Sequence, residues 1–199
     1  MKKTFYIFRH GQTDWNKERK VQGQTDIELN ELGQEQAQEL KCFFDSFDID
    51  ICYSSDLSRA YRTAEIAFSG KGVSIFKSIN LREANFGQVE GMTRENLIAI
   101  YNENFWEVNE QSDESLNFCY PGGETRRELR DRLVKFIENL RDSATERNIA
   151  ISTHGGALRI LLHHFLPKDA TPLPIPNCVV YKLTFDGDSA LIEGPLNNN

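Results

Sequence analysis

Short β-rich apolar runs alternate with stripes of helical period along this chain, and that alternation most restricts what it can fold into. Positions 4–8, 49–53, 73–76 and 149–153 read as strands, and 178–185 with 190–192 as a hairpin closed by Asp186-Gly187-Asp188. Between them, Leu57, Ala60, Tyr61, Ala64 and Phe68 share one helical face, with Ser55 as the expected N-cap. Leu129, Leu133, Phe136, Ile137 and Leu140 share another, opened by a Thr125/Glu128 capping box. Leu158, Leu161, Leu162 and Phe165 form a third stripe, and Leu32, Leu40, Phe43 and Phe47 a looser fourth. Strands that alternate with helices in this way predict an α/β fold with a largely parallel sheet. No linker, repeat or low-complexity tract divides the 199 residues, so positions 1–199 read as one domain.

Charge and cysteine usage exclude several classes. With 30 acidic and 23 basic residues the formal charge is −7, which argues against nucleic-acid or anionic-membrane partners. An anionic ligand must therefore be met by a local cluster of Arg or Lys. The apolar stretch after Lys2-Lys3 ends at Arg9, too short for a signal peptide, and no run approaches the roughly 20 apolar residues of a membrane span. Cys42, Cys52, Cys119 and Cys178 form no Cys-x-x-Cys pair, and Cys52 and Cys178 sit in apolar runs. A reducing, cytoplasmic setting is expected. No His-Glu-x-x-His, paired-Asp motif or Cys cluster is present, so no metal site is expected.

The chemistry gathers where strands end. The first strand runs into Arg9-His10-Gly11, the second leads through Ser54-Ser55 to a helix whose first turn carries Arg59, and the fourth ends in His154-Gly155-Gly156. Ligands of open α/β sheets bind beyond the carboxyl ends of the strands. Two His and two Arg at three such ends, with Gly beside each His, predict a converging cationic pocket suited to phosphate. A lone His at a strand end is more often structural; two of only four His at equivalent Gly-flanked ends favour function. His163 and His164 read as dipole partners at a helix C-terminus, and Arg62 as a surface charge. Glu83, in a tight loop near Phe86-Gly87 and Glu90-Gly91, reads as a buried acid.

The run Arg9-His10-Gly11-Gln12-Thr13-Asp14-Trp15-Asn16 resembles the signature of the histidine phosphatase superfamily, the phosphoglycerate mutase-like enzymes. The likeness continues through Val21-Gln22-Gly23, 53–60, Leu81-Arg82-Glu83 with Phe86-Gly87, Pro121-Gly122-Gly123-Glu124 and 154–159, in family order. It implies a three-layer α/β/α sandwich, mostly parallel with an edge hairpin. It implies that His10 is the nucleophile that becomes phosphohistidine, that Arg9, Arg59 and His154 clamp the phosphoryl oxygens, and that Glu83 is the general acid. Asn16, the backbone around Gln22 and Gly23, and Gly155 would contact phosphate or substrate. Arg59 is expected to serve the phosphoryl group and not the fold.

The same likeness leaves phosphatase and mutase to be distinguished. The 71 positions from Glu83 to His154 are fewer than family mutases usually carry, and the wording around Glu83 resembles the small-molecule phosphatases. Positions 94–124 hold seven acids and one base, Arg94, and 93–123 are expected to cap the substrate. Such a surface should disfavour a bisphosphate cofactor or polyanionic substrate. The expected activity is cofactor-free, metal-independent hydrolysis of a small phosphorylated metabolite. A cofactor-dependent phosphoglycerate mutase and a catalytically silent phospho-ligand-binding module are the alternatives. Oligomeric state is not legible in the sequence.

Overall fold

The computed structural model describes residues 2–101, 113–167, 170–187 and 189–197. Among these, strands β1 (Lys3–Arg9), β2 (Ile51–Ser55), β3 (Ser74–Ser78), β4 (Asn148–Thr153), β5 (Val180–Asp186) and β6 (Ser189–Glu193) form one sheet in the order β3-β2-β4-β1-β5-β6. The first four are mutually parallel; β5 runs antiparallel to β1, and β6 antiparallel to β5. The helices are α1 (Asp14–Lys17), α2 (Glu31–Phe44), α3 (Ser58–Ala67), α4 (Arg94–Tyr101), α5 (Asp113–Asn117), α6 (Arg126–Ser143) and α7 (Gly155–Phe165).

Side chains alternate across the central strands and divide the core in two. Phe5 and Ile7 of β1 with Ile149 and Ile151 of β4 face α6 and α7, burying Leu133, Ile137, Leu158 and Leu161. Phe8 and Ala150 face the other way, onto Leu40 and Phe44 of α2 and Ala64 and Ala67 of α3. The result is the expected α/β/α sandwich with its edge hairpin. Cys52 and Cys178 are buried, Cys42 and Cys119 exposed, and all four thiols are free. Among the described residues no helix is long and apolar enough to cross a membrane.

Three local readings are corrected. The buried face of α2 is Gly33, Ala37, Leu40 and Phe44; Leu32 is 45% exposed, and Phe47 lies beyond the helix end. Bulky hydrophobes suggested the wrong phase, whereas small Gly33 is needed because a Cβ there would overlap the Gln12 carbonyl. Strand β2 runs two residues further than expected, ending in buried Ser54 and Ser55, so Leu57 rather than Ser55 caps α3. Strand β5 begins only at Val180, because Cys178 adopts a left-handed φ of 58°. The Thr125/Glu128 capping box forms as expected. Within 93–123, α4 and α5 are helical, and 102–112 lie outside the described residues.

Candidate active site

The carboxyl ends of β1, β2 and β4 open onto one cavity of about 590 Å³. Arg9, His10, Asn16, Gln22, Gly23, Arg59, Glu83 and Gly155 all line it, eight of the nine residues expected. His154 is the exception. It is fully buried beside His10, the two ring centroids 5.2 Å apart.

His10 is held at the end of β1 by its backbone amide, which donates to Thr153 O at 3.1 Å. Its Nδ1 lies 2.6 Å from Gly11 O. A carbonyl only accepts, so Nδ1 carries the hydrogen and Nε2 keeps its lone pair. Burial, and then the positive charges of Arg59 and Arg9, push the His10 pKa well below the ordinary imidazole value. The ring is therefore neutral at pH 7.

The two arginines are fixed by backbone carbonyls. Arg59 is fully buried and donates from Nη1 to Thr25 O (2.9 Å) and from Nη2 to Gly23 O (2.7 Å). Arg9 donates from Nη1 to Ile175 O at 2.7 Å. Burial pulls each down to about 10, so both stay cationic at neutral pH. Their Nε atoms are buried without a partner in the protein. Such orphan donors cost about 1–3 kcal/mol each, a cost that an anionic ligand would relieve.

Glu83 lies against the head of α7. Its Oε1 accepts from Ala84 N (3.0 Å) and Ala157 N (2.8 Å), and Oε2 from Gly156 N (2.8 Å). Two hydrogen bonds fill the lone pairs of Oε1, whereas Oε2 retains one able to carry a proton. A Cβ at 156 would stand 2.7 Å from Oε1, so a side chain there would displace the Glu83 carboxylate.

The fold enlists several residues that sequence reading missed. Ser55 Oγ accepts from Leu57 N at 3.3 Å and lies 2.8 Å from His154 Nε2. His154 Nδ1, by contrast, is a buried atom with no protein partner. Glu90 accepts from the amides of Gln24, Thr25 and Phe86 and from Thr25 Oγ1. It thereby sets the loop whose carbonyls hold Arg59. Gly23 sits in that loop at φ 57°, where a Cβ would overlap the Glu90 carboxylate. Asn177 Nδ2 reaches both His10 O (3.0 Å) and Asn16 Oδ1 (3.3 Å). Asn16 Oδ1 also accepts from Thr13, which turns the Asn16 amide nitrogen outward as the end left for a ligand. As expected, Arg62 is an exposed partner of Glu65, and His163 and His164 lie in the last turn of α7.

The profile of the histidine phosphatase superfamily (branch 1) matches residues 5–197, and the chain belongs to that family. It is 35% identical over 156 residues to the uncharacterized phosphatase PhoE of Bacillus subtilis strain 168, covering 78% of this chain and 74% of the relative. It is 33% identical over 192 residues to the phosphoglycerate mutase-like protein 4 of Arabidopsis thaliana, covering 94% and 82%. The solved mycobacterial glucosyl-3-phosphoglycerate phosphatase in complex with VO3 superposes with a TM-score of 0.82 at 27% identity, over 96% of this chain and 97% of that one.

Proposed function

We propose that this chain is a phosphomonoesterase that hydrolyses a small phosphorylated metabolite through a phosphohistidine at His10, without a metal ion or cofactor. One observation carries the reading. A neutral His10, its Nδ1 engaged by Gly11 O, shares a cavity with the buried guanidinium of Arg59, half-buried Arg9 and the buried carboxyl of Glu83. The names of PhoE and of the VO3-bound mycobacterial enzyme support hydrolysis.

In the first step His10 Nε2 attacks phosphorus as the phosphorus–oxygen bond to the leaving group breaks. Arg9 and Arg59 offset charge on the equatorial oxygens, and such electrostatic stabilisation supplies most of the catalysis in phosphoryl transfer. His154, whose Nδ1 has no partner in the protein, meets one of those oxygens. Glu83 Oε2 protonates the leaving alkoxide and becomes a carboxylate. In the second step that carboxylate takes a proton from water as the water oxygen attacks phosphorus. The nitrogen–phosphorus bond breaks, phosphate leaves, and Glu83 is protonated again. Asn16, Gln22, Gly23 and Gly155 position the ester, and Arg94, from the segment expected to cap it, lines the same cavity. The four free thiols support a reducing, cytoplasmic compartment.

Turnover of an aryl phosphate in excess EDTA tests the reading. Activity is expected to be retained; loss on chelation with recovery on adding a divalent ion would point to a metal hydrolase, and a total absence of turnover to the silent binding module. Interconversion of phosphoglycerates with catalytic bisphosphoglycerate, faster than phosphate release, would establish the mutase instead.

A further inference from the structure

Glu90 does not line the cavity, yet donors from two separate loops converge on its carboxylate. Its Oε1 accepts from Gln24 N (2.9 Å) and Phe86 N (3.0 Å), and Oε2 from Thr25 N (2.8 Å) and Thr25 Oγ1. Four hydrogen bonds fill the lone pairs of an ionised carboxylate, so this one is committed to the protein and not to a ligand. The backbone beside it is pinned as well, by Gly91 N to Val21 O at 2.8 Å and by Val21 N to Met92 O at 3.0 Å.

Glu90 and Arg59 meet through a shared peptide group. The Gly23–Gln24 peptide gives its carbonyl oxygen to Arg59 Nη2 at 2.7 Å and its N–H to Glu90 Oε1. In a trans peptide those two groups point opposite ways from one rigid plane, so carboxylate and guanidinium hold it from its two edges. Thr25 repeats the arrangement, its N–H on Glu90 Oε2 and its carbonyl on Arg59 Nη1. Each link in such a chain polarises and strengthens the next. Gly23 has a φ of 57°, and a Cβ there would lie 2.0 Å from Glu90 Oε1. The glycine that makes room for the carboxylate also leaves the plane easy to rotate, and the Glu90 contact opposes that rotation. The far end of the loop is tied separately, by Asp26 Oδ1 accepting from Ser58 N (2.8 Å) and Ser58 Oγ (2.7 Å) at the head of α3.

We propose that Glu90 is a positioning residue of the reaction. Without touching substrate, it orients the Gly23–Gln24 peptide so that Gly23 O and Thr25 O keep the Arg59 guanidinium aimed at the phosphoryl oxygens. The inference rests on the hydrolase reading above, in which Arg59 offsets charge on those oxygens.

Glu90→Gln tests it, because the amide keeps the shape of the side chain but turns N–H groups against two of the four donors. In single turnovers with enzyme in saturating excess, the rate constant for transfer to His10 does not depend on the folded fraction. We expect it to fall by about tenfold to 10²-fold, the scale of a slightly misplaced catalytic group. In an Arg59→Ala background the same substitution should cost less than about threefold, since the group it would misplace is gone. The loss should be alike for an aryl and an alkyl phosphate, because Arg59 acts on the phosphoryl group and not on the leaving oxygen. Should Glu90→Gln fail to fold, Glu90→Asp carries the same cycle with a smaller loss, keeping the charge but withdrawing it by one methylene. An equal loss in both backgrounds would make Glu90 purely structural, a loss confined to the alkyl ester would place its effect on Glu83, and an unchanged rate would give it none. Each of these overturns the inference and leaves the hydrolase reading intact. Phosphate release from neither ester by the unaltered enzyme would overturn the hydrolase reading and this inference with it.

Discussion

Glu83→Gln is expected to slow phosphoryl transfer to His10 by roughly 10²–10⁴-fold with alkyl phosphates, the range for loss of a general acid. An activated aryl phosphate loses little in the same step, because a nitrophenolate departs almost unaided. With that substrate phosphohistidine accumulates, since its hydrolysis has lost the base. The fold should tolerate the change. A glutamine carbonyl can still accept from Ala84 N and Ala157 N, and only the hydrogen bond from Gly156 N is lost, about 1 kcal/mol. Single-turnover rates on the two ester classes isolate the step. Equal losses for both would mean that Glu83 organises the head of α7 and another group supplies the proton.

Arg59→Ala lowers the transfer rate by about 10²-fold or more, the effect of removing one transition-state charge donor. A second signature accompanies it. After burial, the Arg59 charge is what most depresses the His10 pKa, so its removal raises that pKa and moves the acid limb of the kcat/KM profile to higher pH. The sign follows from chemistry: His10 attacks only when neutral, and a higher pKa leaves less neutral imidazole at a given acidic pH. The structure also revises the expectation that Arg59 serves the phosphoryl group alone. Without its guanidinium the carbonyls of Gly23 and Thr25 lose their donors, so a destabilisation of about 1–3 kcal/mol should appear in denaturant titration. Full activity, or an acid limb that stays in place, would assign Arg59 a purely structural role.

Residues that end strands were legible because sequence order and spatial order coincide there. An apolar run followed by Arg9-His10-Gly11 or by His154-Gly155-Gly156 places its polar group at the sheet edge whatever the rest of the chain does. The register of α2 was not legible, since close packing at Gly33 depends on the backbone of Gln12, which the fold brings against it from outside the helix. Glu90 and Ser55 escaped for a related reason. Each acts on groups brought to it by the fold: Glu90 on the 24–25 loop, Ser55 on His154. Further cations that line the cavity come from α4, α6, α7 and the segment after α1, so their convergence is not visible in any one stretch of the sequence.

The proposed phosphoryl transfer to His10 can be caught directly by rapid acid-free quenching of the enzyme with radiolabelled substrate, followed by peptide mapping. Label is expected on the peptide containing His10, stable to base and lost in acid as a phosphoramidate is, and formed before free phosphate appears. Label on a Ser, Asp or Cys, or phosphate release in the steady state from an otherwise folded His10→Ala variant at the wild-type rate, would contradict it.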